Sequence, residues 1–226
     1  MMLIEYIATS VEDAIVIEKS GADRIELVAS LEEGGLTPSY ELIEKVAASV
    51  NIPVNVMVRP NSQSFVYTKS DLEMMKRDIS IIGSIGVNGV VLGMLNEAGD
   101  VDFRQLDELL QETGNLKVSF HRAIDYSRDP VQTAKQLDTY KEINTILTSG
   151  GLGDWPNRME MLLKMKLACK NTELLIGSGL SKENILEVHR LVFTGSYHFG
   201  TAVRINHSAL QGVSLEKATE IVDMLK

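Results

Sequence analysis

The sequence has 226 residues, 44% of them hydrophobic, and a formal net charge of −9. That length suits one barrel-sized core, and that charge argues against nucleic acid or an anionic membrane as partner. A single cysteine, Cys169, excludes an internal disulfide and a zinc site of the paired Cys-x-x-Cys kind.

The chain opens on a strand over residues 2–7. The run Met1-Met2-Leu3-Ile4-Glu5-Tyr6 has no basic stretch and does not read as a signal peptide. Ser10 caps a helix, with Asp13 three residues on as in a capping box, and Gly21 ends it. A strand over 24–28 and a loop with Gly34-Gly35 follow. Ser39 starts a helix to about 49, and a strand over 53–58 closes on Arg59-Pro60. A longer loop, 61–68, leads to a helix capped by Ser70 and ending near 85. Then come a strand over 89–92, a helix over 102–113 stopped by Gly114, and a strand over 117–121.

Asp129-Pro130 starts the next helix, with proline at its favoured first position. A strand over 145–148 is followed by Ser149-Gly150-Gly151-Leu152-Gly153. Asp154 and Pro156 begin a helix to about Cys169, and a strand over 174–176 is followed by Gly177-Ser178-Gly179. Ser181 caps a helix, with Asn184 three residues on. A last strand spans 197–200, and Ser214 caps the final helix after a loop over 201–213. No apolar run approaches the roughly 20 residues that cross a bilayer, so a cytoplasmic protein is expected.

Eight short apolar strands alternate with eight helices, which predicts a parallel sheet with right-handed crossovers. Eight such units in 226 residues predict an α/β fold of one domain, a (β/α)8 TIM barrel spanning 1–226. Active sites on that fold lie at the C-terminal ends of the strands. Side-chain alternation points Glu5, Arg24, Glu26, Asn55, Arg59, Ser119 and His121 inward, with Arg122 just past its strand. Charges are rarely buried unless paired, so the lower set, Arg24 above all, has an alternative reading as an ion-pair network fixing register.

The upper set reads as a ligand site. Glu5, Glu26, His121 and Asp125 are the candidate acids and bases, and Arg59 and Arg122 the candidate anion clamps. Thr148, Ser149, Gly150, Gly151, Gly177, Ser178 and Gly179 offer small loops where backbone amides can approach an anion, or merely make tight turns. His198 points into the barrel or packs as a core histidine. His189 belongs on the outer face of its helix, and His207 in solvent.

Two histidines with Glu5 or Glu26 could hold a hard or borderline divalent metal. Met74, Met75, Met159, Met161 and Met165 suit flexible core filling better than copper(I) ligation. Neither a dinucleotide fingerprint nor a nucleophile elbow occurs.

Five segments resemble one family. They are Gly21-Ala22-Asp23-Arg24-Ile25-Glu26-Leu27, Glu33-Gly34-Gly35-Leu36-Thr37-Pro38-Ser39, Val58-Arg59-Pro60, Phe120-His121-Arg122-Ala123-Ile124-Asp125 and Ile146-Leu147-Thr148-Ser149-Gly150-Gly151. Their content and order resemble the CutC family of copper homeostasis proteins. The resemblance implies a cytosolic (β/α)8 barrel and a role in copper binding or handling. It places the family's copper-binding cysteines near the ends of the first two strands, where this chain has Ile7, Ala8 and Val28. The thiolates that select copper(I) are thus absent, and copper as cofactor is implied by the resemblance alone.

The rival expectation is an isomerase or lyase acting on a small anionic, possibly phosphorylated, metabolite at the C-terminal face. A small anion or a copper ion is the expected partner, and a homodimer through surface helices is compatible with the sequence.

Overall fold

The computed structural model describes residues 2–226, so Met1 lies outside it. Eight strands alternate with eight α-helices. They are β1 (Leu3–Ala8), α1 (Val11–Lys19), β2 (Arg24–Leu27), α2 (Tyr40–Ser49), β3 (Val54–Met57), α3 (Lys69–Ile85), β4 (Gly89–Leu92), α4 (Phe103–Leu110), β5 (Lys117–Phe120), α5 (Pro130–Leu137), β6 (Ile143–Thr148), α6 (Trp155–Ala168), β7 (Glu173–Ile176), α7 (Ile185–Val192), β8 (Ser196–Phe199) and α8 (Leu215–Leu225). The strands close in sequence order, and β8 returns to β1 in parallel with Leu3 opposite Ser196. This is the expected TIM barrel. No helix of the described residues is long and apolar enough to cross a membrane.

Strand alternation divides the core in two. One face of each strand packs against the helices in a large apolar cluster that includes Ile4, Tyr6, Ile25, Leu27, Val56 and Phe120. The other face turns inward, where Ile7, Val28, Met57 and Val91 form a small separate cluster. Every polar residue expected inside is buried: Glu5, Arg24, Glu26, Asn55, Arg59, Ser119 and His121. Burial of so many polar groups requires partners. Arg24 supplies one by pairing with Glu5 and lying 3.9 Å from Glu173, so the ion-pair reading of the lower layer holds.

Several boundaries differ from expectation. Helix α3 is capped by Thr68 rather than Ser70, because Asp71 completes a reciprocal capping box with Thr68. Helix α7 begins at Ile185, since Ser181 and Asn184 bond each other in a preceding turn. Strand β6 starts at Ile143, two residues early.

The Ser10 hydroxyl does accept from the Asp13 amide. The Asp13 carboxylate, however, accepts from the Thr9 amide and hydroxyl rather than from the Ser10 amide. It meets Arg204 at 2.9 Å and the Val213 amide at 2.8 Å. Arg204 is only 1% exposed, and a buried guanidinium needs a counter-charge more than a helix needs a second cap bond. This clamp ties the loop after β8 to α1 and so holds one rim of the barrel mouth.

Candidate active site at the barrel mouth

A cavity of about 960 Å³ opens at the C-terminal ends of the strands. Its wall includes Glu26 from β2, Met57 and Arg59 from β3, His121 and Arg122 after β5, His198 from β8, and the loops after β7 and β8. Strand geometry gathers most of these residues: Glu26, Met57, His121 and His198 lie at or just past the ends of parallel strands, and Arg59, Arg122 and the loops follow them.

The centre of the site is a buried chain of four ionisable groups. Arg24 donates to one Glu5 oxygen, and His198 Nδ1 meets the other at 2.7 Å. His198 Nε2 then stands 3.8 Å from Glu26 Oε2. The remaining Glu26 oxygen, Oε1, is buried without a hydrogen-bond partner among the described residues. Burial pushes the Glu26 carboxyl up to about 7, against the neighbouring His198 and with the Glu5 charge. Burial acts on Glu5 in the same direction, but Arg24 and His198 outweigh it and hold Glu5 ionised. His198 is disfavoured as a cation by its own burial, yet Glu26 and Glu5 together raise its pKa.

His121 stands on the facing wall. Its Nδ1 accepts from the Ala123 amide at 3.2 Å, and its Nε2 is buried without a partner among the described residues. Burial, Arg59 and Arg122 push its pKa down to about 3. Phe65 lies against the ring at 5.1 Å between centroids and also packs on Tyr126. Gly93 lets the imidazole sit so close to β4. A Cβ built there would lie 2.5 Å from His121 Nδ1.

The two arginines part company. Arg59 is buried, and its guanidinium donates to the carbonyls of Glu33, Gly35 and Ser62 while lying over Phe65. It ties the rim loops, and it also lines the cavity with its Nε buried and without a partner among the described residues. Arg122 uses only Nε, donated to Asp125 at 2.9 Å. Its two terminal nitrogens have no acceptor among the described residues, and it lines the cavity.

Asp125 is corrected as a candidate acid or base. It is buried outside the cavity lining and accepts from Thr148 Oγ1, Ser149 Oγ, the amides of Ser149 and Gly151, and Arg122. Its lone pairs are occupied, so it positions Arg122 and the loop after β6. Thr148, Ser149, Gly150 and Gly151 belong to that web and not to the cavity wall.

The loops after β7 and β8 differ from that web. Ser178, Gly179, Gly200 and Thr201 line the cavity, and none of their amides has an acceptor among the described residues. Gly177 serves a packing purpose, because a Cβ there would lie 2.8 Å from Leu147 and 3.1 Å from His198. His189 is half-buried on Tyr197 Oη at 2.7 Å rather than on an outer face, and His207 is exposed at the mouth as expected.

Sequence reasoning missed Gly93, Phe65 and Tyr126. Gly93 was within reach, being the next inward position on β4 beside the inward His121.

Glu5, Glu26 and His198 can each bring one donor atom within 4.8 Å of the others, which is a set a divalent cation could use. No thiol lies nearby. Cys169 follows α6 beside the Ala134 carbonyl, and burial pushes its thiol up to about 11. The donors at the mouth therefore do not fit a thiolate copper(I) site.

Residues 2–202 match the CutC family model. A family protein CutC of Serratia proteamaculans is 36% identical over 195 residues, covering 86% of this chain and 76% of that protein. One of Proteus mirabilis is 37% identical over 185 residues, covering 82% and 74%. Among solved structures, a CutC protein of Streptococcus agalactiae named for copper homeostasis superposes with a TM-score of 0.83 at 26% identity, covering 88% of this chain and 98% of that one. Phosphoribosyl anthranilate isomerase of Thermotoga maritima superposes at 0.67 with 15% identity over 99% and 98% of the two chains, which is a likeness of fold.

Proposed function

The chain belongs to the CutC family, and from that premise we propose that it is a barrel enzyme moving a proton on a small anionic metabolite. One observation supports this above the rest: Glu26 lines the barrel-mouth cavity with its Oε1 buried and unpartnered, beside a histidine that Glu5 holds in place. An orphaned buried carboxylate oxygen costs stability, and a carboxyl raised to about 7 is matched to accepting a proton near neutral pH. In this reading Arg122 binds the anion through its free nitrogens, and the amides after β7 and β8 assist. Glu26 takes the proton, and His198, anchored by Glu5, shares and relays it. An isomerase or lyase step fits this arrangement.

Copper handling is the second reading. Its support is the family's association and the oxygen–nitrogen set Glu5, Glu26 and His198. Both oxygens of Glu5 are already taken by Arg24 and His198, so an ion would have to displace a buried arginine.

A thermal-shift screen separates the two. Purified protein is heated with copper(I), copper(II) and a panel of phosphorylated and carboxylated metabolites. A ligand that binds only the folded state raises Tm. The enzyme reading predicts a shift with an anionic metabolite that disappears in Arg122→Ala. A shift with copper alone, lost in His198→Ala and kept in Arg122→Ala, would replace it.

A further inference from the structure

We propose that the substrate carries an enolisable carbonyl group, bound with its oxygen on His121 and its neighbouring C–H facing Glu26. This rests on the acid–base reading of the same site and names the substrate class.

The tautomer of His121 is the starting point. A neutral imidazole has one donor and one acceptor nitrogen. The Ala123 amide donates to Nδ1, so Nδ1 is the acceptor and the ring proton sits on Nε2. That N–H is buried, has no partner among the described residues, and belongs to a ring lining the cavity. Phe65 and the absent Cβ at Gly93 fix the ring's plane. Arg59 and Arg122 act with burial to keep the imidazole neutral. His121 is therefore a fixed, uncharged donor rather than an imidazolium acid.

A neutral, buried and unpartnered N–H on a ring that lines the cavity suits an oxygen whose charge develops during the reaction, as a carbonyl oxygen does on enolisation. Glu26 lies on β2 and His121 follows β5, with β3 and β4 between them in the closed barrel. The two residues thus line one cavity from different walls, and each carries a buried polar atom without a partner among the described residues.

The step balances without a co-reactant. The Glu26 carboxylate takes the proton next to the carbonyl. The C–H electron pair becomes the carbon–carbon π bond, and the carbonyl π pair moves onto oxygen, where His121 Nε2–H stabilises it. On an α-hydroxy carbonyl substrate the hydroxyl proton then passes to the former carbonyl oxygen, and Glu26 returns its proton to the former carbonyl carbon, which completes an isomerisation with every proton accounted for. The free nitrogens of Arg122 hold the anionic end of the same molecule.

The test uses the full chain labelled with nitrogen-15 histidine. Ring spectra are taken from pH 5 to 9, alone and with glycolohydroxamate, a planar enediolate mimic, or glycolate, an anion of similar size. The expected result is a His121 proton on Nε2 throughout, moved by glycolohydroxamate. The mimic should bind about a hundredfold tighter than glycolate, as transition-state-like ligands do, and that ratio should collapse in His121→Phe and partly return in His121→Gln.

A His121 proton on Nδ1, titration of His121 between pH 5 and 8, equal binding of the two probes, or binding of neither would each overturn the proposal. Equal binding that Arg122→Ala abolishes would remove the carbonyl and keep the anion site. If neither probe binds, the titration of Glu26 distinguishes the cases: a midpoint near 7 keeps the acid–base reading, and one near 4.5 removes both.

Discussion

Asp125→Asn should destabilise the protein by about 3 kcal/mol although it changes neither size nor shape. The carboxylate gathers four side-chain and backbone donors from the end of β6 and the loop after it, together with Arg122 just past β5, into one buried knot. In the asparagine one oxygen can still accept from Thr148 and the amides of Ser149 and Gly151. The new amide nitrogen, in place of Oδ2, then meets the Ser149 hydroxyl and Arg122 Nε. The hydroxyl can rotate to accept, but the Arg122 contact becomes donor against donor.

A lost charge-assisted hydrogen bond is worth about 1.5–3 kcal/mol. Arg122 is 37% exposed, which favours the lower end. Weakening the remaining bonds from charged to neutral supplies the rest. For a chain of this length about 3 kcal/mol lowers Tm by roughly 6–12 °C. Urea unfolding at pH 7 and calorimetry measure both quantities. A loss below about 1 kcal/mol would refute the anchor role and return Asp125 to the set of candidate catalytic carboxylates.

Glu26→Gln has a pH-dependent effect. The rise of Glu26 from 4.5 to about 7 means that wild-type stability from this group is full below pH 4.5 and lost as pH climbs through 7. The glutamine variant lacks that loss, so it should gain about 3 kcal/mol on wild type between pH 4.5 and 8 in urea titrations. A pH-independent difference would contradict the assignment. Gly93→Ala should cost about 1–3 kcal/mol by overpacking and should displace the His121 ring, seen as a changed nitrogen-15 ring signal. Arg59→Ala should cost about 2 kcal/mol and speed proteolysis of the rim loops at 31–36 and 61–66, since it releases three carbonyls. Intact loops with loss of ligand binding alone would make it an anion clamp instead.

The barrel was legible in the sequence because eight short, largely apolar strands alternate with eight helices, and in β1, β2, β3 and β5 polar residues recur on one pleat phase. The same alternation placed Glu5, Arg24, Glu26, Asn55 and His121 inside before any contact was known. What alternation cannot give is the partner of each group. Asp125 and Arg122 sit three residues apart and look like a catalytic pair. Only the approach of the β6 loop turns the carboxylate into an anchor. Arg59 looks equally free until the loops bearing Glu33 and Ser62 fold over it.

His198 was ambiguous for a related reason. Its role depends on closure of β8 against β1, which sets it opposite Glu5. Aromatic neighbours such as Phe65 and Tyr126 come from loops with no periodicity to read. Of the caps, Thr68 displaced Ser70 because a reciprocal box needs its carboxylate three residues on, and Asp71 stands at that distance from Thr68.

The most direct test of the account is the titration of the Glu26 side-chain carboxyl by carbon-13 NMR in the ligand-free protein. The proposed proton acceptor predicts a midpoint near 7, moved upward by a small amount in Arg122→Ala and further upward in His198→Phe, since each cation favours the carboxylate. A midpoint near 4.5 would mean that the carboxyl is solvated or paired like any surface glutamate, and the acid–base reading of the barrel mouth would be wrong.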